Sequence, residues 1–158
     1  MKQKIHILAD DREKKGWDQE YFGDEFKITV DRMVSGDYTI RRAENLICIE
    51  RKSNWEELVS NLSTRNERER FCKELHRMQG FPLRWILVES DISRIRYIRK
   101  FTKFFGPDNL IEWINRIALE FGIPIICTGT RMGNKHFVQR FFRQIVELKK
   151  KGRLYYYG

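Results

Sequence analysis

Leu46, Ile47, Cys48 and Ile49 run without a break into Glu50, Arg51 and Lys52. A continuous apolar run this short reads as a buried strand. Such a strand needs sheet neighbours on both sides, and its charged end then sits at the rim of a core. The chain supplies the neighbours. Residues 5–9 are a first strand candidate, ending at Asp10 and Asp11. Residues 26–30 alternate apolar and polar side chains, as a half-buried strand does. Ser35 and Gly36 read as a turn. Residues 38–40 and 46–49 make two more strands, joined by a connection (41–45) short enough for a hairpin.

After Lys52 the period changes. Trp55, Leu58, Val59 and Leu62 fall at helical spacing, with Ser53 or Asn54 in place to cap. A second helix covers about residues 66–78, with Phe71, Leu75 and Met78 on one face and Gly80 and Pro82 after it. Residues 85–88 read as a buried strand. Pro107 opens a helix that carries Leu110, Ile111, Ile114, Ile117, Ala118 and Phe121 as its apolar stripe, and Gly122 closes it. Residues 123–127 are a last strand and 134–149 a last helix. Strands come first, and then strand and helix alternate. The expected fold class is α/β, a central mixed β-sheet flanked by helices.

With 158 residues the chain is expected to form a single domain, residues 1–158. Its core would span about residues 4–150, with a basic, Tyr-rich tail at 151–158. Hydrophobic residues make up 41% of the chain, enough for a core without cross-links. Three cysteines, Cys48, Cys72 and Cys127, are too few and too scattered for a disulfide framework or a zinc site. Cys48 and Cys127 lie in apolar runs and are expected in the core. No segment reads as a signal peptide or a bilayer span. A cytoplasmic or nucleoid-associated protein is expected, in host cytoplasm if a phage encodes it. The net charge is +9, which points to a polyanionic partner, and nucleic acid fits better than a membrane surface.

The chemistry concentrates around Glu50. Period-2 geometry places Glu50 and Lys52 on one face of their strand and Arg51 on the other. Asp37 opens the neighbouring strand and would meet Glu50 across the ladder. Two carboxylates and an amine would then converge at a sheet edge. The carboxylates suit a hard divalent cation, and the lysine suits developing negative charge. An Asp, a Glu and a Lys near strand ends are often only solvated residues or a salt bridge. Here Glu50 follows a buried run, where an acid calls for a partner or a metal. Asp10, Arg12 and Glu13 close the first strand. Beside the hairpin they would reach the same site, Arg12 meeting a phosphate or holding a carboxylate.

Asp10-x-Arg12-Glu13, then Gly36-Asp37, then Glu50-Arg51-Lys52-Ser53 resembles the nuclease domain of the XPF family of structure-specific endonucleases, which includes the archaeal Hef nuclease. The family pattern is D-x-R-E, G-D, E-R-K-x-x-x-D. The resemblance implies the restriction-endonuclease-like PD-(D/E)xK fold and a metal-dependent DNA endonuclease. It implies Mg²⁺ or Mn²⁺ held by Asp37, Glu50 and the main-chain carbonyl of Arg51. Lys52 would be the catalytic lysine, with Asp10, Arg12 and Glu13 completing the site. The last acid of the pattern falls on Glu56, a Glu instead of an Asp, followed by Glu57 where an apolar residue is usual. Arg65 takes the place of an arginine that follows the first helix. Many relatives add a helix-hairpin-helix or helicase domain. Neither is expected here, so the chain reads as a stand-alone nuclease domain of phage or bacterial type.

Arg94, Arg96, Arg99, Lys100 and Lys103 fall among Tyr97, Phe101 and other apolar residues, with no acid between them. They are expected to bind the DNA backbone without base specificity. Their aromatic neighbours would suit unpaired bases. The expected partner is branched DNA or a junction of single and double strands, in the setting of DNA repair or recombination. The last helix carries Phe137, Val138, Phe141, Phe142, Ile145 and Leu148, and the resemblance implies a homodimer through the C-terminal helices. The competing readings are a non-catalytic or partner-dependent DNA-binding subunit and an RNA-cleaving enzyme using the same site.

Overall fold

The structure, a computed structural model, describes residues 4–155. The end of the expected tail, residues 156–158, lies outside them. The elements in order are β1 (Ile5–Asp10), α1 (Gln19–Phe22), β2 (Phe26–Asp31), β3 (Tyr38–Ile40), β4 (Ile47–Lys52), α2 (Trp55–Leu62), α3 (Arg65–Met78) and β5 (Leu83–Val88). A 3₁₀ turn (Ile92–Tyr97), α4 (Pro107–Leu119), β6 (Ile125–Cys127) and α5 (Arg131–Lys150) follow. The strands form one six-stranded mixed sheet in the order β2-β1-β3-β4-β5-β6. Only β3 runs against its neighbours β1 and β4; every other pairing is parallel. The start of β3 therefore shares one end of the sheet with the carboxyl ends of β1, β4, β5 and β6.

Both faces of the sheet are covered, as the sequence pattern requires. On one side Cys48, Ile86 and Val88 pack with Leu58, Val59 and Leu62 of α2, Phe71 and Leu75 of α3, and Leu110 and Ile117 of α4. On the other, Ile47, Ile49 and Leu87 pack with Trp17, Phe22 and Val138, Phe142 and Ile145 of α5. Strand β4 thus divides its side chains strictly by period 2 between two cores. Helices α2 and α3 start on side-chain caps. The Asn54 side chain accepts from Glu57 N, and that of Thr64 from Glu67 N. Such caps are each worth ~1 kcal/mol.

Three expectations are corrected. The convergence of Asp37 and Glu50 is not at a lateral sheet edge. Strands β3 and β4 are the middle pair, so the site lies at strand ends in the centre of the sheet. Cys48 is buried, but Cys127 is exposed, because β6 is an edge strand. Helix α5 begins at Arg131, a turn before the expected start, and Asn134 is fully buried inside it. Helix α1 and the 3₁₀ turn are too short to leave a periodic signal. Among the described residues, no helix is long and apolar enough to cross a membrane.

Candidate active site

Two backbone–backbone hydrogen bonds and one from backbone to side chain align these strand ends. Asp10 N donates to Asp37 O, and Asp37 N to Ile49 O, both at 2.8 Å. Arg51 N then donates to the Asp37 carboxylate at 2.8 Å. Gly36 makes this register possible. It sits at φ +74°, and a Cβ there would lie 2.7 Å from Cys48 Sγ and 3.0 Å from Ile49 O. The Gly-Asp pair is therefore a geometric requirement: the glycine lets β3 begin close against β4, and the aspartate then faces Glu50.

On the same face of β4, Lys52 Nζ donates to Glu50 Oε1 at 2.7 Å. Both side chains are nearly buried, and the Lys52 ammonium sits over the Phe71 ring, 5.1 Å from its centroid. Glu50 enters a cleft of about 340 Å³ lined by Asp10, Arg12, Glu13, Gly36, Asp37, Glu50, Glu57 and Glu74; Lys52 is not in this lining and is joined to it through Glu50. Acids outnumber cations on its walls. Burial pushes the Asp37 carboxyl well above the usual carboxylate range. The Glu50 charge adds to this, and the Arg51 N–H and Lys52 recover only part of it. Burial also raises Glu50, against the pull of Lys52. Burial pulls the Lys52 ammonium down, but the Glu50 charge and hydrogen bond outweigh it and leave it above its ordinary value. The site therefore holds more carboxylate than its own cations neutralise.

Asp10 has a different task. Its carboxylate is almost fully buried and accepts from Arg12 Nε at 2.6 Å and Nη2 at 2.8 Å, from Arg12 N at 2.9 Å and from Met33 N at 2.9 Å. Burial raises this carboxyl, but the Arg12 and Met33 donors outweigh it and leave it below its ordinary value. Asp10 is thus saturated, and it fixes Arg12, which keeps an exposed flank on the cleft. Glu13 lines the same wall and lies 3.6 Å from Arg51 Nη1.

Arg51 turns its side chain to the opposite face, as period 2 demands. Its Nη2 donates to Glu89 at 2.5 Å. Trp17 Nε1 donates to the other Glu89 oxygen at 2.6 Å, and Asn134 Nδ2 to the same atom at 3.2 Å. The Tyr21 hydroxyl donates to Asn134 Oδ1, so β4, β5, α1 and α5 are tied by one buried polar network.

Not every expected residue reaches the cleft. Glu56 does not line it; its neighbour Glu57 does, and accepts from Ser53 N and Oγ, both at 2.8 Å. Arg65 is exposed and bonds Glu69 within its own helix at 2.9 Å. Arg94, Arg96, Arg99, Lys100 and Lys103 are all exposed, on the segment that leaves the carboxyl end of β5. Three functional positions were not foreseen. Glu74 binds the Ser35 hydroxyl and Gly36 N, bracing the turn before Asp37. It follows Phe71 by three residues and flanks the buried stripe of α3, which was the available signal. Glu57 and Glu89 are the other two. Glu89 follows the apolar run of β5 as Glu50 follows that of β4, so the same rule would have found it.

The donor set suits a hard cation. Asp37 and Glu50 offer oxygen only, and magnesium is commonly held by one or two carboxylates with water and phosphate completing its shell. Among the described residues, no group of three or more His, Cys, Asp or Glu forms a ready-made metal cage. The main-chain carbonyl of Arg51 and water would therefore have to contribute. A second cleft, about 370 Å³, opens at the other end of the sheet beside Lys4, His6, Lys27, Arg41, Arg42 and Lys150. Among the described residues its lining has no carboxylate.

A family model, the ERCC4 domain, matches residues 9–141. The chain belongs to the ERCC4 domain family. Its fold is that of XPF from Aeropyrum pernix, with TM-score 0.69 and 17% identity over 89% of this chain and 61% of that one. XPF from Aeropyrum pernix in complex with DNA gives TM-score 0.67 and 19% identity, over 96% of this chain and 68% of that one. The ERCC4 domain chain thus spans about three fifths of the first of these. No curated protein matches it.

Proposed function

We propose that this ERCC4 domain is a metal-dependent DNA endonuclease that acts on branched or otherwise structured DNA. The carrying observation is the meeting of Asp37 and Glu50 in a cleft whose carboxylates exceed its cations, with Lys52 hydrogen-bonded to Glu50. A bound Mg²⁺ or Mn²⁺ would supply Lewis acidity and a water of lowered pKa. Asp37, Glu50 and the carbonyl of Arg51 would hold it. Lys52, kept charged by Glu50, would stabilise the negative charge that develops on the scissile phosphate. Arg12, clamped by Asp10 with its outer side free, would hold a neighbouring phosphate. Strands β3 and β4 are central in the sheet, so these groups are placed by rigid elements. The DNA partner is supported by the net charge of +9, by the exposed cations at 94–103 and by the DNA-bound neighbour of the same fold. A homodimer through α5 is part of the proposal. Phe137 is 42% exposed and stacks on Phe141, which itself packs on Trp85 of β5, so the outer ring of the pair faces away from the sheet.

The test is cleavage of duplex, single-strand, flap, fork and four-way-junction DNA with Mg²⁺, Mn²⁺ or EDTA, for the native chain and Glu50→Gln. Metal-dependent cutting that the variant loses is expected, with a preference for the branched substrates. Absence of cutting on every substrate overturns the proposal.

A further inference from the structure

The segment after β5 sorts its large side chains into two sets. Ile95, Ile98 and Phe105 are buried, and Phe101 packs against the same core. These residues anchor it. Tyr97 and Phe104 point the other way and are 64% and 80% exposed. Each exposed ring carries its own cation. The Lys103 ammonium lies 4.8 Å from the Phe104 centroid, and the Arg96 guanidinium 5.9 Å from that of Tyr97. Arg94, Arg99 and Lys100 are exposed around them, and residues 92–105 contain no acid. A patch meant for an apolar protein partner would not surround two aromatic rings with five cations and no anion. The segment is also held firmly at the site end of the sheet. Glu89 N donates to Lys52 O at 2.9 Å, Trp55 Nε1 to Asp91 O at 2.9 Å, and Lys100 Nζ to Ser60 Oγ at 2.8 Å.

Exposed rings beside phosphate-binding cations are what an unpaired nucleic acid strand requires, because every base offers a face to stack and every phosphate a charge. We propose that Tyr97 and Phe104 form a stacking platform for the unpaired bases of a single-stranded DNA arm that leaves the cleft, while Arg96 and Lys103 take its phosphates. The inference rests on the nuclease reading for the position of the duplex and adds to it the residues that would hold an unpaired arm. A blunt duplex offers the rings no free base and gains nothing from them.

The full chain would be titrated in EDTA, which prevents cutting, onto a fluorescent duplex bearing one unpaired arm and onto the same duplex with blunt ends. A 2-aminopurine base in the arm reports stacking directly. The native chain is expected to favour the armed duplex and to quench the 2-aminopurine. Tyr97→Ala and Phe104→Ala should each lose between about 5-fold and 100-fold in affinity for the armed duplex, with blunt-duplex affinity unchanged. Tyr97→Phe should keep both signals. Unaltered armed-duplex binding and quenching in both alanine variants would overturn the platform, as would an equal loss on blunt DNA. Failure of cleavage with the platform intact would remove only the nuclease reading. Failure to bind any DNA would remove both.

Discussion

The two faces of strand β4 carry the same kind of charge into opposite situations. On one face Arg51 enters a closed network, bound by Glu89, which is itself bound by Trp17 and Asn134. On the other, Glu50 and Lys52 form a pair that opens onto a cleft with Asp37, Glu13, Glu57 and Glu74 around it. One residue of sequence separates the two. On the closed face the Arg51 charge is met by Glu89, with Glu13 3.6 Å away, and the result is position: α1, α5, β4 and β5 are tied together. On the open face charge is left over, which is what the proposed cation and phosphate would use. Stability and the proposed reactivity thus fall on alternate residues of a single strand.

The largest effect on stability should come from breaking the closed face. Glu89→Ala removes the hydrogen-bonded carboxylate of the buried Arg51 guanidinium and leaves only Glu13, 3.6 Å away, which costs about 3–5 kcal/mol. Thermal denaturation should show a fall of roughly 10 °C for a chain of this size. A shift of a degree or two would mean the network is not what ties the helices to β4. Asp10→Asn comes next. It removes charge-assisted bonds to Arg12 and should cost about 1–3 kcal/mol near neutral pH. Because the folded Asp10 carboxyl lies below its ordinary value, its contribution is present above the unfolded pKa and is lost as pH falls through the folded one. Denaturant titrations of native and variant chains should therefore diverge at pH 7 and converge in acid. Divergence that grows in acid would contradict the assignment. Gly36→Ala adds strain at positive φ and a clash with Cys48, of order 1–3 kcal/mol. It should also lower activity by shifting Asp37. Arg65→Ala is the smallest. The Arg65–Glu69 pair is solvated, so stability should move by no more than about 0.5 kcal/mol, and cleavage should hold if Arg65 stays as remote from phosphate as from the cleft.

Much of this was legible before any coordinates. The Leu46–Ile49 run announced a buried strand, and alternation alone put Glu50 with Lys52 and apart from Arg51. Asp37 across the ladder followed from the short hairpin. Strand order was not legible. Nothing local says that β1 pairs with both β2 and β3, and so nothing said that the site is central. Glu57 and Glu74 were hidden for a related reason. Each sits on a helix among other acids, and only the packing of α2 and α3 against β4 decides which acid faces the cleft. Glu56 was read by position alone, and it is its neighbour Glu57 that lines the cleft. The exposed pair Tyr97 and Phe104 looked the same in sequence as the buried Phe105, because a 3₁₀ turn and a tight bridge have no period to read.

The division of β4 into a structural and a chemical face is tested most directly by Asp37→Asn, assayed for cleavage and for melting temperature on the same preparation. Asparagine keeps an oxygen for the Arg51 N–H and removes a charge that burial and Glu50 both disfavour. The account predicts cleavage reduced at least about 100-fold, with a melting temperature equal to or above the native value. Retained cleavage, or a melting temperature that falls as far as that of Glu89→Ala, would show that the two faces do not divide the work in this way.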